Sequence, residues 1–191
     1  MVEPKQELEP LEVERELIRK AKQGNLYSFE QLVKKYQKKM YRLAFRMTKN
    51  HDSADDLAQE TFVKAFTSIR SFKEEYKFYP WICRICMNLS INYLKRKKFT
   101  VSESELEPYK LEDKKATGDP MSQLIKDELM DRIERSIDKL PPPFKVVFIL
   151  KVCEDLSYEQ IAKSLNISVG TVMSRLFRAR ERLQKSLKDY L

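Results

Sequence analysis

The chain has 191 residues, in which 37 Lys and Arg oppose 29 Asp and Glu for a formal net charge of +8. That length holds one ordinary domain or two small ones, and the basic excess favours a polyanionic partner, either nucleic acid or an anionic membrane surface. No apolar run approaches the roughly 18 residues of a membrane span and the acidic start Met1-Val2-Glu3-Pro4 is no secretory leader, so a cytoplasmic protein without stable membrane insertion is expected.

Only Gly24, Gly118 and Gly170 could serve the turns of hairpins and phosphate-cradling loops, which argues for an all-α fold. Residues 1–10 are acidic, contain proline and are expected to be disordered. A helix over 11–23 should end at Gly24, a residue able to take the left-handed conformation past a helix end. The next begins near Ser28 and carries Phe29, Leu32, Val33, Tyr36, Met40, Leu43, Ala44 and Met47 on one stripe. The clearest period follows: Ala54, Leu57, Ala58, Thr61, Phe62, Ala65, Phe66 and Ile69 step by three and four.

Residues 71–79 read as a loop, because Pro80 restricts the residue before it and suits the first turn of a helix. That helix continues through Trp81, Ile82, Ile85, Leu89 and Tyr93. Over 100–120 the periodicity is lost and acids predominate, as in a flexible acidic linker. Beyond it, Leu124, Ile125, Leu129, Ile133, Ile137 and Leu140 mark a helix closed by Pro141-Pro142-Pro143, and 144–153 forms another. The expected organisation is two small helical domains, 11–99 and 121–191, joined by the 100–120 linker.

Ser157-Tyr-Glu-Gln160 has the form of a capping box opening a short helix. Asn166-Ile167-Ser168 then makes a turn, with Ser168 the cap of a helix that keeps Val172, Leu176, Ala179, Leu183 and Leu187 inward. This is a helix-turn-helix. Its outer face offers Ser168, Gly170, Thr171, Ser174, Arg175 and Arg178 to bases and phosphates of duplex DNA, with Gly170 permitting close approach of the phosphate backbone. A merely solvated basic helix is the alternative.

Asp52, Asp55, Asp56, Gln59 and Glu60 lie away from the apolar stripe of their helix as one acidic face, either solvated or a docking surface. Phe72, Lys73, Tyr76, Lys77 and Phe78 mix aromatics with cations, the equipment for stacking an unpaired base while holding its phosphates. Asn88 and Asn92, one turn apart, carry amides that can bond base edges, and Lys95 and Arg96 can hold phosphates. Trp81 reads as structural support for the loop.

Catalytic chemistry has little material. Cys83, Cys86 and Cys153 are too few for a disulfide scaffold and are expected to be packed thiols. The Cys83-x-x-Cys86 spacing lies inside an amphipathic helix with no strand before it, and zinc would need His51, Cys153 or carboxylates to converge on it. His51 is the sole histidine and no Gly-rich loop exists, so no catalytic residue, metal or cofactor is expected.

Leu156-Ser-Tyr-Glu-Gln-Ile-Ala-Lys-Ser-Leu-Asn-Ile-Ser-Val-Gly-Thr-Val-Met-Ser-Arg-Leu-Phe-Arg-Ala-Arg180 resembles the minus-35-reading domain of sigma factors of the extracytoplasmic-function (ECF) group. Ser53-Ala-Asp-Asp-Leu-Ala-Gln-Glu-Thr-Phe-Val-Lys-Ala-Phe66 and Phe78-Tyr-Pro-Trp-Ile-Cys-Arg-Ile-Cys-Met-Asn88 resemble the family's polymerase-binding and minus-10-reading segments. Together the resemblance covers roughly 17–188. It implies a transcription initiation factor that binds core RNA polymerase and promoter DNA. It also implies that the acidic face docks on clamp helices of the largest polymerase subunit, that the 72–79 loop captures a flipped minus-10 base, and that an anti-sigma factor covers these surfaces. The acidic linker would occupy the RNA exit channel or serve as a plain tether. One departure stands out: after Gly-Thr-Val, where many relatives carry Arg or Lys, this chain has Met173, which donates no hydrogen bond to guanine or phosphate. The competing function is a free-standing helix-turn-helix transcription regulator, which leaves the acidic helix and the loop unexplained.

Overall fold

The computed structural model describes residues 10–100 and 120–188, and every regular element among them is helical. The expected N-terminal disordered segment, but for Pro10, and the expected linker, but for its end residues 100 and 120, lie outside the described residues. The chain divides into two compact units, Met1–Ser90 and Ile91–Leu191.

In the first unit, helix α1 (Pro10–Lys22) ends at Gly24, whose φ of +94° lets its N–H reach Ala21 O at 3.0 Å and that of Asn25 reach Lys20 O at 3.0 Å. Asn25 also caps α2 (Leu26–Thr48), its Oδ1 accepting from Ser28 N at 2.8 Å, so α2 starts two residues ahead of the sequence-based expectation. Asn25→Ala is expected to lower stability by about 0.5–2 kcal/mol, read from the urea midpoint. Lys49 ends α2 in the left-handed region and Asn50 caps α3 (His51–Ser68) by accepting from Ser53 N at 2.9 Å. Two linking residues thus fold α2 and α3 into a hairpin.

The expected stripes meet in this hairpin, except for Phe66, which is exposed: Leu32, Met40, Leu43 and Ala44 are buried on α2, and Ala54, Leu57, Ala58, Thr61, Phe62 and Ala65 on α3. Phe45, off the expected stripe, is also buried, its ring 4.8 Å from that of His51. Helix α1 packs on α2 through Ile18 and Ala21, and Glu14 accepts from Tyr36 Oη at 2.6 Å while pairing with Lys35. Burial, reinforced by the bond to Glu14, pushes the Tyr36 phenol well above its ordinary pKa, so the hydroxyl remains a donor.

After a single 3-10 turn, Ile69–Ser71, helix α4 (Phe78–Thr100) begins two residues before Pro80. Pro80 is tolerated there because N–H groups in the first turn have no intrahelical partner. Cys83 and Cys86 are buried, with Cys86 Sγ donating to Met40 O at 3.7 Å. Cys153 departs from the expectation of packed thiols: it is exposed, at the end of a helical segment whose last turn is widened.

In the second unit, α5 (Pro120–Asp138), α6 (Pro142–Phe148, continued by a π-helical turn Ile149–Cys153) and α7 (Tyr158–Leu165) precede α8 (Val169–Leu187). Helices α5, α6 and α7 all contact α8. Ile137, Leu140, Phe144 and Phe148 close around Ala179 and Leu183, and the Ser136 and Ser186 hydroxyls lie 2.9 Å apart. Leu129, expected inward, is exposed, because α5 meets α8 near its C-terminal end. Buried Lys145 is paired with Asp138 at 2.9 Å, which satisfies an otherwise costly internal charge. Among the described residues no helix is long and apolar enough to cross a membrane, and no three or more His, Cys, Asp or Glu gather as a metal site.

Candidate nucleic-acid interface

The helix-turn-helix is built by its caps. Gln160 N donates to Ser157 Oγ at 3.2 Å and Ser157 N to Gln160 Oε1 at 2.8 Å, the reciprocal box that opens α7. Glu159, hydrogen-bonded by its own backbone N–H and by Ser157, is held below the usual carboxylate range. Asn166 closes α7 in the left-handed region, and Ile167 N reaches back to Ala162 O at 3.0 Å. Ser168 then opens α8 by accepting from Thr171 N at 3.1 Å. Val172, Leu176, Ala179 and Leu183 hold the inner side of α8, which fixes what faces outward.

Ser168, Gly170, Ser174 and Arg178 are exposed, while Thr171 and Arg175 are half-buried. The Ser168 and Thr171 hydroxyls lie 2.8 Å apart, and Ser174 Oγ donates to Thr171 O at 3.1 Å. These short side chains stabilise the first turns of α8, leaving Arg175 and Arg178 as the long groups with reach. A Cβ at Gly170 would meet only Ser168 Oγ, at 3.9 Å. Packing within the protein therefore does not require glycine there, whereas a phosphate backbone drawn against the helix would. Met173, singled out in the sequence, is exposed on this face, as are two apolar residues that a search for polar groups passes over, Val169 and Phe177. Phe177 follows the buried Leu176 and so falls off the inward stripe, a signal already present in the periodicity.

In the first unit, Asp52, Asp55, Asp56, Gln59 and Glu60 are all exposed on α3. Gln59 Nε2 donates to Asp55 Oδ2 at 2.7 Å, and Glu60 pairs with Lys64 at 3.3 Å. Asp55 and Gln59 line a groove of about 740 Å³ between α2 and α3, together with Val33, Gln37, Tyr41 and Arg42. Asp52, Asp56 and Glu60 lie outside it.

The loop corrects the sequence-based expectation. Phe72 and Phe78, expected to stack bases, are only 3% and 1% exposed. Their ring centroids lie 5.8 Å apart and 5.0 and 5.3 Å from that of Trp81, with Tyr36 5.6 Å from Phe78. A ring enclosed in this way gains more from packing than from waiting in water for a base, and Trp81 supports the loop as expected. Lys73, Tyr76 and Lys77 are exposed, Tyr76 N donates to Lys73 O at 3.1 Å, and Glu74 is tied to Lys22 of α1 at 3.0 Å. On α4, Asn88 is exposed, one turn beyond exposed Arg84, which the sequence reading passed over; Asn92, Lys95 and Arg96 are exposed farther along the helix.

Residues 32–100 match the family model of sigma-70 region 2, and residues 130–183 that of sigma-70, region 4. The chain is 36% identical over 186 residues to the ECF RNA polymerase sigma factor SigW of Bacillus subtilis (strain 168), covering 90% of this chain and 95% of the relative. It is 32% identical to the RNA polymerase sigma-H factor of Pseudomonas aeruginosa, covering 94% of this chain and 96% of the relative. Among solved structures, the fold is similar to the sigma factor RpoE of Bartonella quintana, crystallised with the anti-sigma factor NepR, at a TM-score of 0.69 and 23% identity over 87% of this chain and 100% of that one.

Proposed function

The chain belongs to the ECF group of RNA polymerase sigma factors, and from that membership we propose how its residues divide the work of promoter recognition. Residues 11–99 dock on core polymerase through Asp52, Asp55, Asp56, Gln59 and Glu60 and capture melted minus-10 bases. For that capture Tyr76 supplies the stacking ring, Lys73, Lys77, Lys95 and Arg96 hold phosphates, and Asn88 and Asn92 bond base edges. Residues 121–191 read minus-35 duplex with the outer face of α8, where Gly170 admits the backbone and Ser168, Thr171, Ser174, Arg175 and Arg178 make the contacts. The 100–120 segment tethers the two readers, and each raises the effective concentration of the other once polymerase is bound. The protein works in the cytoplasm, and the chemistry of RNA synthesis belongs to the polymerase. By analogy with the anti-sigma complex of RpoE, an anti-sigma protein covers these surfaces when the factor is silent.

The observation that carries this reading is a doubly capped helix-turn-helix with an exposed basic helix, in one chain with an exposed acidic α3. Run-off transcription from a promoter library, with bacterial core polymerase in the presence and absence of the protein, tests it. Defined start sites that appear only on addition support it, and failure to bind core at all favours a free-standing regulator. Arg178→Ala is expected to weaken promoter binding and, if the lost contact is a phosphate, to flatten the salt dependence by about one unit of slope. An unchanged footprint and slope would take α8 out of the DNA interface.

A further inference from the structure

Helix α8 presents an apolar stripe that the assignment above does not use. Val169, Met173 and Phe177 are 36%, 54% and 68% exposed, spaced four residues apart and so aligned on one side of the helix. The inner side is already filled by Val172, Leu176, Ala179 and Leu183, so these three are no part of the core. Over the first ten residues of the helix, the outward face runs from Met173 through Phe177, Gly170 and Ser174 to Arg178, apolar at one edge and basic at the other. Resting on the reading of α8 as the minus-35 recognition helix, we propose that Met173, framed by Val169 and Phe177, reads the C5-methyl group of thymine. The chain would thereby prefer an A·T pair where an arginine would take guanine.

Three observations point to this occupant. The stripe starts at the N-terminal end of the second helix of a helix-turn-helix, the end that meets base edges in the major groove. Thymine's methyl is the apolar group that groove displays, and Met173, flexible and without a donor, fits a methyl and cannot serve guanine O6 or N7. The same helix carries Arg175, Arg178, Arg180 and Arg182 against a single acid, Glu181, a balance that suits a polyanion better than an apolar protein surface.

The test uses holoenzyme assembled from core polymerase and the full chain on duplexes randomised through the minus-35 element. Wild type is expected to select thymine, and Met173→Arg to replace it with guanine at one position while the others hold. Replacing that thymine by deoxyuridine removes only the methyl group. On a selected promoter this should lower wild-type occupancy about four-fold, the value of one buried methyl, and leave Met173→Ala unaffected. The deoxyuridine arm on wild type needs no variant to fold. If wild type ignores the methyl, or Met173→Arg selects unchanged sequences, the inference fails and the stripe is left to a protein partner. In that case a continuing loss of binding in Arg178→Ala keeps α8 as the minus-35 reader, whereas indifference to Arg178→Ala as well removes both.

Discussion

Asp55→Lys, Asp56→Lys and Glu60→Lys, introduced together, are expected to abolish capture of core polymerase while leaving the protein folded. The three side chains are exposed on the side of α3 away from its buried stripe, so no core contact is lost. Their internal interactions are the Gln59–Asp55 hydrogen bond and the Lys64–Glu60 pair, both at the surface. Exposed pairs contribute about 0–1 kcal/mol each. New lysines near the start of α3 oppose its dipole by about 0.3–1 kcal/mol, and sparing Asp52 limits that cost. A docked partner meets the change differently, since like charges brought together across an interface cost several kcal/mol. The expected result is an affinity loss of at least about 100-fold, near 2.8 kcal/mol, with a thermal midpoint within several degrees of wild type. Undiminished capture by immobilised core polymerase would remove this face from the interface.

The second large effect is expected at Phe78. Truncation to alanine removes a ring that is 1% exposed and enclosed by Phe72, Trp81 and Tyr36, at a cost of about 3–5 kcal/mol in urea denaturation. Because Phe78 opens α4 directly after the loop, the loop should lose its seating as well. Tyr76→Ala is the contrasting variant: it changes an exposed loop residue, so stability should move by less than about 0.5 kcal/mol while promoter opening, followed by permanganate reactivity of unpaired thymines, falls. A Phe78→Ala protein as stable as wild type would contradict the packing; unimpaired opening by Tyr76→Ala would return the stacking role to another ring.

What was legible in the sequence follows from which signals are local. Ser157, Gln160 and Ser168 announce the helix-turn-helix because a cap is a short-range bond between residues of fixed spacing, and the structure makes each of those bonds. The stripes of α2 and α3 are legible because burial on a helix repeats. The loop gave no such signal. In a stretch too short for any period, Phe72 and Tyr76 look alike, and only the surrounding tertiary packing sends one inward and the other out. The start of α2 is less legible because its cap, Asn25, directly follows Gly24, so one pair of residues both ends a helix and begins the next. The widened turn at Ile149–Cys153 has no marker in sequence.

The corner between α1 and α2 has a mechanical consequence. Asn25 supplies the last backbone donor that closes one helix and the side-chain acceptor that starts the next, so the joint contains no slack residue. The Glu14–Tyr36 bond ties α1 to α2 beside this joint, and the Lys22–Glu74 pair links α1 to the loop. A single residue inserted at this joint is therefore expected to break the bond that closes α1 and the one that starts α2 at once.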